Sequence, residues 1–206
     1  MAILKKISLT LGLCLLLAAT INAQDNNMVD AFKKSYTHEK AGEYTKATAA
    51  LKAVYDADNY ALNLRLGWLD YLAGLFTESM SYYQKAMKLM PLSIEARLGY
   101  VLPAAAAGNA EQVKNQYLEI LKIDPNNSTS NYRLGVIYYG KGEYNLAYKH
   151  LEKVVNLYPF DYDSLVMFAW INLKLGRMHE AEVLFRTALL NRPGDASALE
   201  GLSNIR

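Results

Sequence analysis

The sequence predicts an all-α protein built as an array of repeated helical hairpins. Three observations support this: a glycine motif recurs about every 34 residues, two apolar positions follow each glycine at fixed distances, and a proline closes most units. A period of this length is typical of helical arrays in which each hairpin stacks on its neighbours. Because 52% of the 206 residues are apolar, such an array can bury a substantial core.

The first 23 residues are predicted to be a secretory signal peptide outside the fold. Lys5 and Lys6 precede an apolar run over residues 7–19, and Ala23 supplies a small residue before a polar stretch. The apolar run is shorter than the roughly 20 residues that a membrane-spanning helix needs. We therefore expect no stable membrane anchor after cleavage. The Ala23-Gln24 junction resembles those of exported Bacteroidetes proteins, which implies a periplasmic or envelope-associated location.

The single cysteine, Cys14, leaves one alternative for the leader. A lipid-anchored cysteine follows a small residue at the end of the apolar run, whereas Cys14 follows Leu13 and lies inside the run. We interpret Cys14 as part of the leader, with a lipid anchor as the alternative. The exported chain then contains no cysteine, which excludes disulfides and thiolate metal sites.

Net charge argues against nucleic acid as a partner. The chain has 22 basic and 20 acidic residues, a formal charge of +2, and loss of the leader removes two lysines and makes it neutral. Proteins that bind nucleic acid normally carry a concentrated basic stripe, and this sequence has none. We expect no nucleic-acid binding.

The repeated motif has four parts. It starts at a glycine: Gly42, Gly74, Gly108, Gly142 and Gly176. Five residues later stands a small or compact residue: Ala47, Ser79, Val113, Ala147 and Ala181. Nine residues after the glycine stands a large apolar one: Leu51, Tyr83, Tyr117, Leu151 and Phe185. Seventeen residues after it stand Asn59 and then four prolines: Pro91, Pro125, Pro159 and Pro193.

Each part of the motif has a structural reason. Glycine adopts the left-handed conformation that ends one helix and opens a tight turn. The small residue lets two helices approach closely, and the large one fills the space between them. Proline ends the second helix because it lacks an amide donor. Stacked hairpins of this kind are expected to form a right-handed superhelix with a concave inner face.

This pattern resembles the tetratricopeptide repeat family over nearly all of residues 28–195. The best match is the unit at 128–161, in which these residues stand at family positions: Leu134, Gly135, Tyr138, Gly142, Tyr144, Ala147, Leu151, Val154 and Pro159. The resemblance implies a linker at 24–27 followed by five units, at 28–59, 60–93, 94–127, 128–161 and 162–195. Apolar residues at helical spacing predict a capping helix at 196–206.

Two units depart from the family pattern. In the first, Lys34 and Ser35 replace the usual leucine and glycine, and the unit is two residues short. In the third, the Leu98-Gly99 pair comes two residues early and Pro103 falls within the first helix. We predict that Pro103 interrupts and kinks this helix.

In the family, the first helix of every unit lines the concave groove that binds a partner. The resemblance therefore implies an aromatic groove with arginines. The candidate partner-binding residues are Tyr36, Arg65, Trp68, Tyr71, Arg97, Tyr100, Tyr132, Arg133, Tyr139 and Trp170.

Three of these residues, Arg65, Arg97 and Arg133, each stand immediately before a Leu-Gly pair in successive units. Stacking of the units would align them as an arginine ladder that binds an extended acidic peptide through bidentate contacts with carboxylates. The alternative is that each pairs with an acid on a neighbouring helix, such as Asp70 or Glu95, and ties the units together.

No catalytic or metal-binding constellation is recognisable. The histidines His38, His150 and His179 lie in different units without further ligands at suitable spacing, and no phosphate loop or nucleophile motif occurs. We therefore expect neither enzymatic activity nor a cofactor.

The sequence predicts a non-catalytic adaptor or assembly scaffold of the bacterial envelope that holds a protein or peptide partner in its groove. The alternative is a binder of peptidoglycan or another glycan that stacks sugars on Trp68 and Trp170. Self-association is left open.

Overall fold

The computed structural model describes residues 26–205, which form helices, turns and loops without a strand. The predicted leader and the lipid-anchor alternative at Cys14 lie outside the described residues. The helices are α1 (26–40), α2 (Tyr44–Lys52), α3 (Tyr60–Leu72), α4 (Phe76–Leu89), α5 (Ile94–Ala106), α6 (Ala110–Ile123), α7 (Ser128–Gly140), α8 (Tyr144–Leu157), α9 (Tyr162–Lys174), α10 (Met178–Asn191) and α11 (Ala196–Ser203). In residues 26–205, no helix has both the length and the apolar character needed to cross a bilayer.

The chain divides into two compact units. The first contains α1 to α5 and ends at Ala107, and the second begins at Gly108 and contains α6 to α11. Within the units, the principal packing is between helices joined by a short turn, namely α3 with α4, α7 with α8 and α9 with α10. The predicted all-α fold of paired helices is confirmed.

The repeat glycines end the first helix of each pair, as predicted. All five have positive φ, between 72° and 77°. At Gly74, for example, the amide of Leu75 donates to the carbonyl of Asp70, as in a Schellman motif. The prolines also act as predicted, because each lies two residues beyond the end of a second helix.

A polar residue caps each of α3, α5, α7, α9 and α11, at intervals of one repeat period. The side chains of Asn59, Ser93, Asn127, Asp161 and Asp195 each accept a hydrogen bond from the amide three residues later. Asn59 is therefore a helix cap and not the counterpart of the repeat prolines. The first unit lacks two residues, and its second helix is shorter by more than that, since α2 has nine residues and α4 has 14; the loop after α2 is longer than the loop after α4.

The small and large positions of the motif form the core. The large residues Leu51, Tyr83, Tyr117, Leu151 and Phe185 are all buried, as are the alanines and the serine at the small position. Two glycines flank the Tyr83 ring: a β-carbon on Gly67 would lie 2.9 Å from it, and one on Gly99 would lie 2.2 Å from it. Tyr83 thus fills the gap between α3 and α5 because both helices present glycine there.

The prediction for the third unit was wrong in two respects. Helix α5 continues through Pro103 to Ala106, and burial of Val101, Pro103 and Ala104 supports it past the proline. The helices α3, α5, α7 and α9 are also evenly spaced along the sequence, because each begins one repeat period after the one before it. The Leu98-Gly99 pair is therefore not a shifted copy of the Leu-Gly pairs of α3 and α7.

Candidate partner-binding surface

Arg65 lies at the centre of a network between α1 and α3. Its Nη2 donates to Oε2 of Glu39 at 2.5 Å, and its guanidinium carbon lies 3.9 Å from the centroid of the Tyr36 ring. The side chain is only 9% exposed, and that of Glu39 is 21% exposed. The hydrogen bond from Arg65 lowers the pKa of Glu39, so this carboxylate stays charged. Arg65 ties two helices together, with Glu39 as its partner and not Asp70 or Glu95.

Trp68 and Tyr71 belong to the same network. The Trp68 indole Nε1 donates to the other Glu39 oxygen, Oε1, at 2.5 Å. Its ring lies 5.8 Å from that of Tyr71, which in turn contacts Phe76 with centroids 6.2 Å apart. Both residues are half-buried, whereas Tyr36 is 49% exposed. Tyr36 is therefore the most exposed of these three aromatic residues.

Asp70 faces α2. Its Oδ1 accepts a hydrogen bond from the Thr48 hydroxyl at 3.3 Å, and its Oδ2 is buried without a hydrogen-bond partner. The side chain is 1% exposed. Burial raises the pKa of Asp70, while Lys52 partly opposes the rise. The surroundings of Asp70 therefore favour the protonated, neutral carboxyl group over the charged carboxylate.

We expect Asp70→Asn to stabilise the protein at pH 7. A carboxyl group whose folded pKa exceeds its unfolded value binds more protons when folded, so stability falls as the pH rises from about 4 through the folded pKa. The amide that replaces the carboxylate would remove that loss while keeping an acceptor for Thr48. Urea unfolding at pH 7 and pH 4.5 measures the difference, which should shrink at the lower pH. A variant that is equally destabilised at both values would contradict the assignment.

Arg97 and Tyr100 are displaced from the predicted groove by the true register of α5. Arg97 stands where α3 and α7 have Asn63 and Asn131, and its Nη2 donates to the carbonyl of Pro91 at 3.0 Å. Asn131 binds the equivalent loop carbonyl, that of Pro125, at 3.1 Å. Arg97 thus supports the loop before its own helix.

Tyr100 is 4% exposed and occupies the core position of Leu66 and Leu134. Its assignment to the groove was therefore wrong. Arg97 is also out of register with Arg65 and Arg133, so the three arginines do not form a ladder of equivalent positions.

Arg133 differs from the other two arginines. It is exposed on α7 and forms no ion pair with any residue between 26 and 205. Its guanidinium carbon lies 5.9 Å from the centroid of the neighbouring Tyr132 ring. Both residues line a hollow of about 350 Å³ between the beginnings of α7 and α9.

The rest of this hollow comes from three segments of the second unit. Its other lining residues are Ser128, Thr129, Val154, Tyr158, Asp161, Asp163 and Ser164. Burial raises the pKa of Tyr132, and the nearby Asp163 adds to the rise. Asp163 itself is exposed, and its one ion pair in the described chain is a long contact of 3.8 Å with Arg192. We call this hollow the α7–α9 pocket.

Tyr139 and Trp170 are half-buried and largely engaged inside the second unit. Tyr139 packs against the core around Leu151, with its ring 5.6 Å from that of Tyr144. The Trp170 indole donates to the Ser197 hydroxyl at 2.9 Å, and its ring meets Phe185 edge-on at 5.3 Å. These contacts leave neither ring as a free platform.

Two of the histidines have polar partners within the chain. His38 bonds Glu43 at 2.7 Å, and His150 bonds Asn131 at 2.9 Å while its ring stacks on that of Tyr138. Across the described residues, no group of three or more histidine, cysteine or acidic side chains is placed to hold a metal ion.

Sequence reasoning missed Glu39 and the α7–α9 pocket. Glu39 follows the aligned groove positions of α1 and was overlooked because its partner lies in the next repeat. The pocket residues Ser128, Asp161 and Asp163 were overlooked because their repeat positions are those of helix caps and first turns, where a polar residue has a structural role. The regular spacing of the helix caps was a signal in the sequence that would have fixed the register of α5.

Comparison with known proteins agrees with the repeat geometry. A family model described as anaphase-promoting complex, cyclosome, subunit 3 matches residues 106–188. The TPR repeat-containing protein YpiA of Bacillus subtilis is 26% identical over 165 residues, which is 80% of this chain and 38% of that protein. A tetratricopeptide repeat protein from Parabacteroides merdae has a structure that superposes with a TM-score of 0.74 at 22% identity, covering 87% of this chain and 72% of that one.

The chain has the repeated helical hairpins of the tetratricopeptide repeat proteins. The structure of MamA is also similar, with a TM-score of 0.69 at 20% identity, over 81% of this chain and 92% of that one. The TPR repeat-containing thioredoxin TTL4 of Arabidopsis thaliana matches 53% of this chain at 27% identity. The chain spans 38% and 16% of the lengths of these two curated relatives, YpiA and TTL4.

Proposed function

We propose that this protein is a non-catalytic adaptor or assembly scaffold of the bacterial envelope, which binds a segment of a partner protein on the first helices of its second unit. The observation that carries the proposal is the exposed Arg133, which has no ion pair in the described chain and stands beside the open α7–α9 pocket. An unpaired guanidinium next to an aromatic ring is a common anchor in protein interfaces.

The contacts of the other arginines support this choice of surface. Arg65 is buried against Glu39, and Arg97 holds the loop carbonyl of Pro91. If either arginine left its partner to bind a ligand, a polar group of the chain would lose its hydrogen bond. The free energy of that loss exceeds the gain from the new contact. Arg133 carries no such cost.

The envelope location of the proposal rests on the leader-like pattern of residues 1–23. For the alternative of glycan binding, no contact offers support. It depended on Trp68 and Trp170, whose indole N–H groups donate to Glu39 and Ser197. A sugar stacked on either ring would have to compete with packing that already covers part of it.

Capture of partners from an envelope extract tests the proposal. We expect Arg133→Glu to reduce retention of the specific partner by roughly tenfold, because loss of one interface anchor costs about 1 to 2 kcal/mol. Lys149→Glu is the matched control: it makes the same charge change on an exposed residue of the second helix α8 and should leave retention unchanged.

Mass spectrometry of the retained proteins, followed by titration of the purified partner, gives the measurement. Equal retention by the two variants would refute the proposed surface. Retention of polysaccharide without protein would refute the scaffold function itself.

A further inference from the structure

The α7–α9 pocket has a counterpart in the first unit at the same repeat position. That counterpart, of about 530 Å³, lies between the beginnings of α3 and α5 and is lined by Tyr60, Met90, Pro91, Leu92, Ser93 and Glu95. A shift of two repeat periods relates Tyr60 to Ser128, Met90 to Tyr158, Ser93 to Asp161 and Glu95 to Asp163. The two sites can therefore be compared residue by residue.

In the first unit, a tyrosine of the chain itself bridges the two helices. Tyr60 is the first residue of α3, and its hydroxyl lies 2.7 Å from the Ser93 hydroxyl, which belongs to the cap of α5. The same hydroxyl donates to Oε2 of Glu95 at 3.2 Å. The tyrosine thus satisfies both polar groups at the start of the next first helix.

The second unit also has a tyrosine at the first position of a helix. Tyr162 is the first residue of α9; burial, together with the nearby carboxylate of Asp195, the cap of α11, raises the pKa of Tyr162 to about 12. The Arg192 guanidinium covers the ring, 3.8 Å from its centroid. A tyrosine at the first position of a helix thus lies beside the next cap in both places, and in the first unit it is hydrogen-bonded to that cap.

The α7–α9 pocket lacks this bridge. The first residue of α7 is Ser128, whose short side chain forms no hydrogen bond with residues 26–205. Opposite it, Asp161 accepts from the amide of Ser164 through Oδ2, and Asp163 has its long ion pair with Arg192. Within the described residues, no tyrosine hydroxyl is hydrogen-bonded to Asp161 or Asp163, whereas Tyr60 bonds their counterparts Ser93 and Glu95 in the first unit.

We propose that the α7–α9 pocket binds a tyrosine side chain of the partner protein, which takes the place that Tyr60 fills in the first unit. The ring would lie between Tyr132 and the half-exposed Tyr158, above Val154. Its hydroxyl would donate to Asp163, the counterpart of Glu95. The inference rests on the proposed function, since it names the chemistry that the same surface recognises.

Room and charge both favour a phenol over other side chains. An apolar cavity of about 150 Å³ accommodates benzene, so a hollow of about 350 Å³ has space for a phenol ring and the atoms around it. Arg133 lines the same pocket as Asp161 and Asp163, and Arg192 lies 3.8 Å from Asp163, so the two carboxylates are not an isolated acidic cluster and a lysine or arginine would gain little. Phenylalanine would bury the ring but give Asp163 no hydrogen bond.

The test uses N-acetyl-L-tyrosine amide and, as the matched probe, N-acetyl-L-phenylalanine amide. Titration of the ¹⁵N-labelled full chain should shift the amides of residues 128–133 and 158–164. We expect the tyrosine amide to bind about fivefold to tenfold more tightly, because only its hydroxyl supplies the missing donor. Equal affinities, or shifts elsewhere in the chain, would overturn the inference.

Variants at equivalent positions make the test specific. Ser128→Tyr copies Tyr60 and should abolish the titration while the circular dichroism spectrum and Tm remain those of a folded chain. Asp163→Ala should remove the preference for tyrosine, whereas Glu95→Ala, the equivalent change in the first unit, should leave it intact. Undiminished binding by Ser128→Tyr would exclude the pocket as the site.

The two proposals fail in distinguishable ways. If neither amide binds but Arg133→Glu still reduces partner capture, the scaffold function stands and the tyrosine inference falls. If the tyrosine amide binds this pocket but partner capture does not depend on Arg133, the pocket is a phenol site unrelated to the proposed function.

Discussion

Replacing Gly99 with alanine is expected to lower the free energy of unfolding by roughly 2 kcal/mol, although alanine favours a helix more than glycine does. The added β-carbon would lie 2.2 Å from Cε1 and 2.5 Å from Cζ of Tyr83. The ring cannot move away from α5, because its other side already lies against α3, where a β-carbon on Gly67 would be 2.9 Å from it. Urea unfolding or Tm measures the loss, about 4 to 8 °C for a chain of this size.

Gly140→Ala is the matched control for this prediction. Gly140 is also helical, at the end of α7, and a β-carbon there would have no neighbour within 4 Å. This change should raise stability by about 0.5 to 1 kcal/mol through helix propensity alone. A second change, Tyr83→Leu, should make Gly99→Ala nearly harmless. If Gly99→Ala behaves like Gly140→Ala, the close packing of Tyr83 is refuted.

Arg65→Ala is expected to be the more damaging of two arginine substitutions, lowering the free energy of unfolding by about 2 to 3 kcal/mol. It removes the bond to Glu39 and the packing on Tyr36, and it leaves a largely buried carboxylate with Trp68 as its remaining donor. Arg133→Ala, at the same repeat position, should change stability by less than about 0.5 kcal/mol because the side chain is exposed.

Thermal unfolding of the two variants under identical conditions measures this difference. A similar large loss for both would mean that Arg133 also ties helices together, and the proposed binding surface would lose its anchor. A negligible loss for both would mean that the Glu39 network contributes little to stability.

The repeat pattern predicted the fold because its positions are set by local chemistry. Gly74 must take positive φ, Pro91 must end a helix, and Leu51 must be buried wherever such hairpins stack. These requirements depend on residue type and spacing, which are legible in a sequence. The capping residues Asn59 and Ser93 were equally legible, and they would have placed α5 in its true register.

The candidate site was predicted less well because it depends on partners that are distant in sequence. Arg65 and Arg133 stand in the same motif and at the same repeat position, yet one faces Glu39 and the other faces an open pocket. Tyr100 looked like a groove residue only because the Leu98-Gly99 pair imitates the motif two residues early. Identical local patterns thus acquired different roles.

The sequence by itself determined the helix pairs, the turns at the glycines and the core positions, because backbone conformation and hydrophobic burial follow from residues near one another in the chain. Only the tertiary structure decided which arginine is paired and which is open. It also decided that a tyrosine bridges two helices at Tyr60, whereas Ser128 stands at the equivalent position in the second unit. The physical reason is that these outcomes depend on which side chain a neighbouring repeat presents, and hydrogen bonds between residues so far apart in the chain are set by packing.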